Sequence, residues 1–227
     1  MTTQQQHWGQ PPADSKDTTL FLVRHGETLS NQQGRVQGHG DSPLSARGFE
    51  QGMRVARRLA AIKIDTVYSS DSQRAMETAR LFAGPHKLEI TARESLRERN
   101  FGVLEGKTLE ETGKKGDTWF LSWLADRRVA PPAGESQDQM CERFMEALRA
   151  ILAAHPGQHV AISTHGGPIK SAVYDILRIP TILWRLTWIE NGSITVLRGA
   201  PDVLRVATFN DTCHLEGVTS TLSEAEG

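Results

Sequence analysis

Two histidines in this sequence stand between a short apolar run and a glycine. The run 20–23 is followed by Arg24 and His25, and the run 160–163 is followed, one residue later, by His165. Apolar runs of this length are typical of strands that are buried on both faces. Either histidine alone could equally well be structural. Because ligands of open α/β sheets bind at the carboxyl ends of strands, the convergence of both histidines on one sheet edge predicts a functional site there.

A third predicted strand, 66–69, also ends in polar residues. It is followed by Ser-Ser-Asp and then by a helix that begins near Ser72 and carries Arg74 in its first turn. A phosphoryl group spreads up to two negative charges over three oxygens, and a guanidinium group stays charged and can bind two oxygens at once. We therefore predict that Arg24 and Arg74 bind a phosphoryl group at this edge, assisted by the positive end of the helix dipole.

The residues around His25 extend into a longer motif. Residues 24–28 read Arg-His-Gly-Glu-Thr, and they are followed by Asn31, by Gly-Arg at 34–35 and by Gln-Gly at 37–38. This pattern resembles the signature of the histidine phosphatase superfamily, the group that includes cofactor-dependent phosphoglycerate mutases and their phosphatase relatives. Matching segments run from about residue 20 to about residue 209, so the resemblance covers nearly all of the chain that is expected to be ordered.

The resemblance implies a phosphate pocket and a covalent mechanism. Arg24, Arg74 and His165 would bind the phosphoryl oxygens, while the neutral imidazole of His25 attacks phosphorus to give a phosphohistidine. The surrounding cations would lower the pKa of His25 and keep its attacking nitrogen unprotonated near neutral pH. Glu98 would protonate the departing oxygen and then take a proton from the attacking water. No metal and no cofactor are implied.

The choice of the acid rests on the register of the segment 96–106, which resembles the acid-bearing segment of the superfamily. In that register Glu98 is the acid, while Glu94 and Glu105 are acidic residues of a polar loop, which usually face solvent. Many members of the phosphatase branch have an aromatic residue where this chain has Leu104. The departure concerns the shape of the pocket and does not affect the acid.

Further residues are predicted to contact the substrate. Asn31 and Gln37 fall where relatives have residues that line the pocket, although both could simply cap their loop. The group that leaves is expected to be bound within the segments 38–43, 99–107 and 119–128. Glu27 is expected to anchor its loop. The predicted substrate-binding residues are Asn31, Gln37, Gly38, Arg99 and Gly166.

The order of the predicted elements indicates an α/β fold. Strands alternate with helices along most of the chain, which favours a parallel sheet with helices on both faces, and the last two strands are expected to form a hairpin at the sheet edge. We predict a three-layer α/β/α sandwich with a mostly parallel central sheet, as in phosphoglycerate mutase-like proteins. The predicted strands are 20–23, 66–69, 88–91, 160–163, 193–198 and 203–209. The predicted helices are one capped by Ser45, one over 73–83, one or two short ones within 109–125, a long one from Ser136 to about Pro156, and one that ends near Leu177.

The two ends of the chain are expected to lie outside the domain. Residues 1–18 are rich in glutamine and show no periodic apolar face, so they are predicted to form a disordered tail. We assign residues 19–215 to a single histidine phosphatase domain and residues 216–227 to a flexible tail.

Composition limits the classes of partner. The formal net charge is −1, which gives no reason to expect capture by nucleic acid or by an anionic membrane surface. The two cysteines, Cys141 and Cys213, lie far apart and are expected to be reduced thiols of a cytoplasmic protein. The expected ligand is a small phosphorylated metabolite, and the expected assembly is a monomer or a homodimer.

Several alternative functions remain at this stage. A phosphoglycerate mutase is the first, since the segment 98–102 also resembles the mutase substrate segment; the early loop 35–38 and the short stretch 106–134 favour a phosphatase instead. A sugar bisphosphatase resembles the chain around 96–107. A phospho-ligand binding module without catalysis would be expected to lack the histidine or the acid, and both are present here. A metal-dependent phosphatase is disfavoured because the sequence offers no cluster of Asp and His as hard-cation ligands.

Overall fold

The computed structural model describes residues 17–112, 118–126 and 128–218. Residues 1–16 and 219–227, which make up most of the two predicted tails, lie outside the described residues, as does residue 127 of the segment 119–128. In the described part six strands form one sheet: β1 (Thr18–Arg24), β2 (Thr66–Ser70), β3 (Ile90–Arg93), β4 (His159–Thr164), β5 (Ile194–Ala200) and β6 (Val203–Asp211). The α-helices described are α1 (Leu29–Gln32), α2 (Ala46–Leu59), α3 (Gln73–His86), α4 (Leu109–Thr112), α5 (Thr118–Ala125), α6 (Gln137–Ala154) and α7 (Gly166–Leu177).

The sheet is mostly parallel, as predicted. Its strand order is β3-β2-β4-β1-β5-β6. The four strands from β3 to β1 run parallel, whereas β5 is antiparallel to β1 and forms an antiparallel edge hairpin with β6. Because β2, β4 and β1 are parallel neighbours, their carboxyl ends lie together at one edge of the sheet.

Alternating side chains of the central strands separate two apolar layers. On β1, Leu20 and Leu22 pack with residues of α6 and α7, while Phe21 and Val23 pack with residues of α2 and α3. All four side chains are buried. Successive residues of a strand point to opposite faces, so this division places helices on both sides of the sheet and confirms the three-layer α/β/α sandwich.

Helix α2 begins where it was predicted, and two glycines form part of its buried face. Ser45 is its N-cap, and its hydroxyl accepts a hydrogen bond from the backbone of Gly48. Apolar residues recur at helical spacing from Phe49 to Ala60, and of these Ala56 and Leu59 are buried whereas Phe49 is 53% exposed. The buried face also includes Gly48 and Gly52. Position 48 requires glycine, because a Cβ there would lie only 1.9 Å from the carbonyl oxygen of Glu27. The helix approaches the loop after β1 backbone against backbone, and bulkier residues are excluded from that face.

Several predicted boundaries shift by a few residues. Helix α3 was predicted to end before Gly84 and Pro85, but it continues to His86 and ends where Lys87 adopts a left-handed conformation with φ of 55°. Proline in the last turn removes only one backbone donor, so it does not stop the helix at once. Strand β3 begins at Ile90 and β1 at Thr18, each displaced from its predicted start.

The long helix and the aromatic segment before it agree with the sequence. Ser136 and Gln139 form a capping box at the start of α6. Phe120 and Trp123 of α5 are buried in a separate apolar cluster, so these two aromatic side chains of the segment 119–128 pack inside the protein. Over residues 17–112, 118–126 and 128–218, no helix has both the length and the hydropathy that a membrane span requires.

Candidate active site

The two predicted histidines meet at the carboxyl edge of the sheet. Arg24 of β1 pairs with Thr164 of β4, so His25 and His165 follow directly at neighbouring strand ends. Their ring centroids are 5.2 Å apart, and the side chains are 2% and 0% exposed. The convergence that the sequence predicted is present in the fold.

His25 is oriented by its own loop. Its Nδ1 lies 2.7 Å from the carbonyl oxygen of Gly26. A carbonyl can only accept, so Nδ1 carries the hydrogen and the neutral ring has its lone pair on Nε2. Burial, and then the positive charges of Arg74 and Arg24, lower the pKa of His25 well below its ordinary value of 6.5. The imidazole is therefore neutral near neutral pH, with its lone pair on Nε2.

His165 is fixed by hydroxyl groups at the end of β2. Its Nε2 lies 3.0 Å from Oγ of Ser70 and 3.3 Å from Oγ of Ser72. Burial, followed by the charge of Arg74, lowers its pKa well below 6.5. Nδ1 is buried and has no hydrogen-bond partner among the residues that the structure describes. When the Ser70 hydroxyl donates to Nε2, Nδ1 carries the proton and can donate to a ligand oxygen.

Arg74, at the start of α3, connects the site to the loop 38–41. The side chain is 1% exposed, and it donates to the carbonyl oxygens of Gly38 and Gly40, each at 2.7 Å. Gly38 has a φ of 56°, and a Cβ there would lie 2.1 Å from the Glu105 carboxylate. The predicted residue Gly38 thus contributes a backbone carbonyl that orients Arg74.

Arg24 lies between the start of α7 and the segment before β5. Its Nη1 donates to the carbonyl oxygen of Ile189, and its guanidinium carbon is 5.7 Å from the ring centroid of Trp188. A Cβ on Gly166 would lie 3.4 Å from Nε of Arg24, so the predicted residue Gly166 borders this guanidinium directly. Arg24 is 3% exposed, and its cationic head lies beside the two histidines within the protein interior.

Glu98 is brought to the same place by backbone donors from both sides. Its Oε1 accepts from the backbone N–H of Arg99 at 2.8 Å, and its Oε2 accepts from that of Gly167 at 3.0 Å. A Cβ on Gly167 would lie 2.2 Å from Oε1, so only glycine permits this approach. Glu98 and Arg24 line one narrow cavity of about 20 Å³ with residues of α7 and of the segment 184–189.

The competing carboxylates lie elsewhere. Glu105 accepts backbone hydrogen bonds from His39 at 2.8 Å, Gly40 at 3.0 Å and Phe101 at 3.0 Å. The Glu94 side chain is 79% exposed, and its carboxylate is 3.7 Å from Arg97. Glu105 therefore fixes the loop that Arg74 contacts and Glu94 faces solvent, whereas Glu98 lines the cavity beside Arg24.

Asn31 and Gln37 come together at Thr28. Each amide oxygen lies 3.0 Å from the hydroxyl of Thr28, and Asn31 closes a capping box at the start of α1. Asn191, which the sequence analysis did not single out, donates from Nδ2 to the carbonyl oxygen of His25 at 3.0 Å. All three amide side chains are buried. Both the pocket-lining and the loop-capping expectation for Asn31 are compatible with this arrangement.

Arg99 is placed differently from the other predicted substrate-binding residues. Its guanidinium donates to the carbonyl oxygens of Glu135 at 2.7 Å and Val129 at 2.8 Å, and it stacks over Phe101 at 5.5 Å. The residue is 4% exposed, and burial lowers its pKa to about 10. The structure thus uses this guanidinium to fasten the segment 129–135 rather than to line the cavity at Glu98.

One residue that supports the site carried a sequence signal and another did not. Arg143 of α6 donates to the carbonyl oxygens of Ser95 at 2.9 Å and Glu98 at 3.2 Å, and it pairs with Glu135 at 2.8 Å. Glu27 is buried and accepts from Ser45 at 2.7 Å, which confirms that it anchors its loop. An arginine on a helix usually faces solvent, so only the fold reveals that Arg143 orients the Glu98 segment.

The two buried histidines predict how stability depends on pH. Below pH 6.5 the unfolded chain binds a proton at each histidine, whereas the folded state keeps both neutral because their pKa values are lowered. Each histidine should therefore reduce the free energy of unfolding by up to about 1.4 kcal/mol per pH unit as the pH falls. Urea unfolding between pH 7 and pH 5 measures this slope. His25→Asn and His165→Asn should each make this pH dependence of the free energy of unfolding shallower, because each removes one group that takes up a proton on unfolding. Slopes equal to that of the wild type would contradict the expectation.

Comparison with known proteins agrees with this geometry. A sequence profile of the histidine phosphatase superfamily (branch 1) matches residues 20–212. Phosphoglycerate mutase-like protein 4 of Arabidopsis thaliana is 36% identical over 211 residues, which cover 89% of this chain and 90% of that protein. The metal-independent phosphoserine phosphatase of the same plant is 34% identical, with coverage of 90% and 86%. The solved structure of Bacillus stearothermophilus YhfR is 34% identical and superposes with a TM-score of 0.81, covering 87% of this chain and 99% of that one. This chain is therefore an enzyme with phosphatase chemistry that belongs to branch 1 of the histidine phosphatase superfamily.

Proposed function

We propose that this enzyme hydrolyses small phosphomonoesters through a phosphohistidine at His25, with Glu98 as proton donor and acceptor and without a metal. The observation that carries the proposal is the neutral, oriented imidazole of His25 beside His165, Arg24 and Arg74, with the Glu98 carboxylate anchored at a cavity that Arg24 also lines. An attacking lone pair, cations for phosphoryl oxygens and a proton donor are the three requirements of this chemistry.

In the first half-reaction the bond between Nε2 of His25 and phosphorus forms while the ester P–O bond breaks. Arg24, Arg74 and the Nδ1 proton of His165 would stabilise the charge on the phosphoryl oxygens. Protonated Glu98 gives its proton to the departing oxygen, and the alcohol leaves. The cations that lower the pKa of His25 also ensure that the ring attacks without first losing a proton.

In the second half-reaction water replaces the alcohol. Ionised Glu98 takes a proton from the water as its oxygen attacks phosphorus, the P–N bond breaks, and phosphate leaves with His25 neutral again. The two backbone N–H groups that bind the Glu98 carboxylate keep it at the cavity through both steps. One carboxylate therefore serves as acid and then as base.

A phosphoglycerate mutase is the second candidate, and the 36% identity to a phosphoglycerate mutase-like protein favours it. A mutase must protect its phosphohistidine from water while a bound intermediate reorients, which requires an enclosed site. The stretch 106–134 offers α4 and α5 with 4 and 8 residues and is short for such an enclosure. The 34% identity to a metal-independent phosphoserine phosphatase likewise supports hydrolysis.

We place this activity in the cytoplasm, where Cys141 and Cys213 would stay reduced.

Phosphorus NMR of the products separates the two candidates. The enzyme is incubated with 3-phosphoglycerate, with and without 2,3-bisphosphoglycerate as primer, and in parallel with a panel of phosphorylated sugars, amino acids and nucleotides. We expect inorganic phosphate as the main product, unaffected by EDTA. Isomerisation to 2-phosphoglycerate that outruns phosphate release tenfold, a difference of about 1.4 kcal/mol in barrier, would assign the chain to the mutases. A strict requirement for added Mg²⁺ would contradict the proposed site.

A further inference from the structure

A buried lysine borders the cavity at Glu98. Lys170, in the second turn of α7, is 4% exposed and lines this cavity together with Arg24 and Glu98. Its Nζ donates to the carbonyl oxygen of Thr187 at 3.0 Å and lies 4.3 Å from the ring centroid of Trp184. Burying an ammonium group costs free energy, because the group loses its hydration. An ammonium group that borders a cavity in the protein interior attracts anions into that cavity.

The position of Lys170 relates to the leaving group rather than to the phosphoryl group. Glu98 delivers its proton to the departing oxygen in the proposed mechanism, so the cavity that it shares with Lys170 belongs to the alcohol side of the substrate. Arg24 borders the same cavity from the phosphate side. A substrate that lies across it would have its phosphoryl group at the arginine and the other end of its alcohol at the lysine.

The size of the cavity restricts what that other end can be. Its volume of about 20 Å³ exceeds the ~10–15 Å³ that a single water needs, but only slightly. Trp184 and Trp188 form apolar walls of the cavity; Trp184 is buried and Trp188 is half-buried. A sugar or nucleobase does not fit without rearrangement, whereas a carboxylate is small, flat and complementary in charge to the ammonium group.

We infer that Lys170 determines substrate specificity by binding a carboxylate on the leaving alcohol, so that the preferred substrates are short phosphomonoesters with a carboxylate near the ester oxygen. The inference rests on the proposed function and names the substrate class of the same site. The ammonium group contributes charge and hydrogen bonds to the bound alcohol, and the two indoles exclude larger groups. Discrimination follows from the loss of this ion pair when the carboxylate is absent.

A purely structural role for Lys170 makes a different prediction. Lys170 and Tyr174 both fasten the segment 183–187 to α7, since the Tyr174 hydroxyl donates to the carbonyl oxygen of Leu183 at 2.8 Å. Tyr174→Phe loosens the same segment without removing a charge from the cavity, and it is the matched control. Lys170→Met keeps an unbranched side chain against Trp184 and removes only the ammonium group.

The experiment compares kcat/KM for 3-phosphoglycerate and for glycerol 3-phosphate, which has a hydroxymethyl group in place of the carboxylate. The wild type should prefer 3-phosphoglycerate by tenfold or more. Lys170→Met should lower kcat/KM for 3-phosphoglycerate at least tenfold, mainly by raising KM. The factor by which kcat/KM for glycerol 3-phosphate falls should be at least tenfold smaller. Lys170→Arg should restore part of the preference, and Tyr174→Phe should affect both substrates by the same factor.

Three results would overturn the inference. Equal losses on both substrates in Lys170→Met would make the lysine a structural fastener. Unchanged kcat/KM values for both substrates in that variant, or a wild type without preference for the carboxylate, would show that the lysine does not determine the substrate. In each of these cases phosphate release from other phosphomonoesters would leave the proposed function intact. A wild type that hydrolyses no phosphomonoester would instead refute the proposed function.

Discussion

Replacing His25 with alanine is expected to abolish both turnover and the phosphorylated enzyme. In the proposed mechanism the imidazole supplies the attacking lone pair on Nε2, and its ring centroid is 5.2 Å from that of His165. Removing the attacking group of a covalent enzyme costs about 10⁴-fold or more in kcat. Rapid quenching with labelled substrate should trap an acid-labile, base-stable phosphoryl group on His25 of the wild type, and His25→Ala should show none.

His165→Asn is the matched control for this experiment. It removes a buried imidazole from the same site but leaves the nucleophile, so turnover should fall by about 10²–10³-fold, as for loss of one donor to a developing charge. The label should still appear on His25, only more slowly. Label on serine or aspartate, or label that survives in His25→Ala, would refute the assignment of the nucleophile.

Replacing Glu98 with glutamine should separate proton transfer from binding. Glutamine keeps the shape of the side chain and can still accept the backbone hydrogen bonds on one oxygen, but it cannot donate a proton as an acid does. The expected loss in kcat is about 10²–10⁴-fold for alkyl phosphates. Nitrophenyl phosphate should lose much less, because nitrophenolate departs with little protonation. The ratio of the two losses, measured on one enzyme preparation, reports acid catalysis directly.

The neighbouring carboxylates provide controls with distinct expectations. Glu94 is 79% exposed, so Glu94→Gln should change neither substrate appreciably. Glu105 fixes the backbone of His39 and Gly40, and Glu105→Gln should lower activity by an equal factor for good and poor leaving groups. A loss that depends on the leaving group in Glu105→Gln, or equal losses in all three variants, would show that the acid is not Glu98.

The sequence alone determined the fold class and the residues that meet at the sheet edge. Apolar runs before His25 and His165 identified two buried strands, and parallel strands place their carboxyl ends at one edge whatever lies between them. The order of motifs also identified Glu98, although its segment has no local secondary structure from which to infer a position. The predictions of the strands and of their shared edge hold because they depend on strand burial, which is a local property of the chain, whereas Glu98 was selected by resemblance to the acid-bearing segment of the superfamily.

The tertiary structure alone decided which groups each long side chain of the site region contacts. Arg99 and Arg24 are both arginines next to a predicted catalytic residue, yet Arg99 binds carbonyl oxygens of the segment 129–135 while Arg24 borders the cavity. Lys170 is brought to that cavity by α7 and by a segment that follows it in the chain. The direction of a long side chain depends on the carbonyl groups and aromatic rings that surround it, and those neighbours come from elements distant in sequence. No local pattern contains that information.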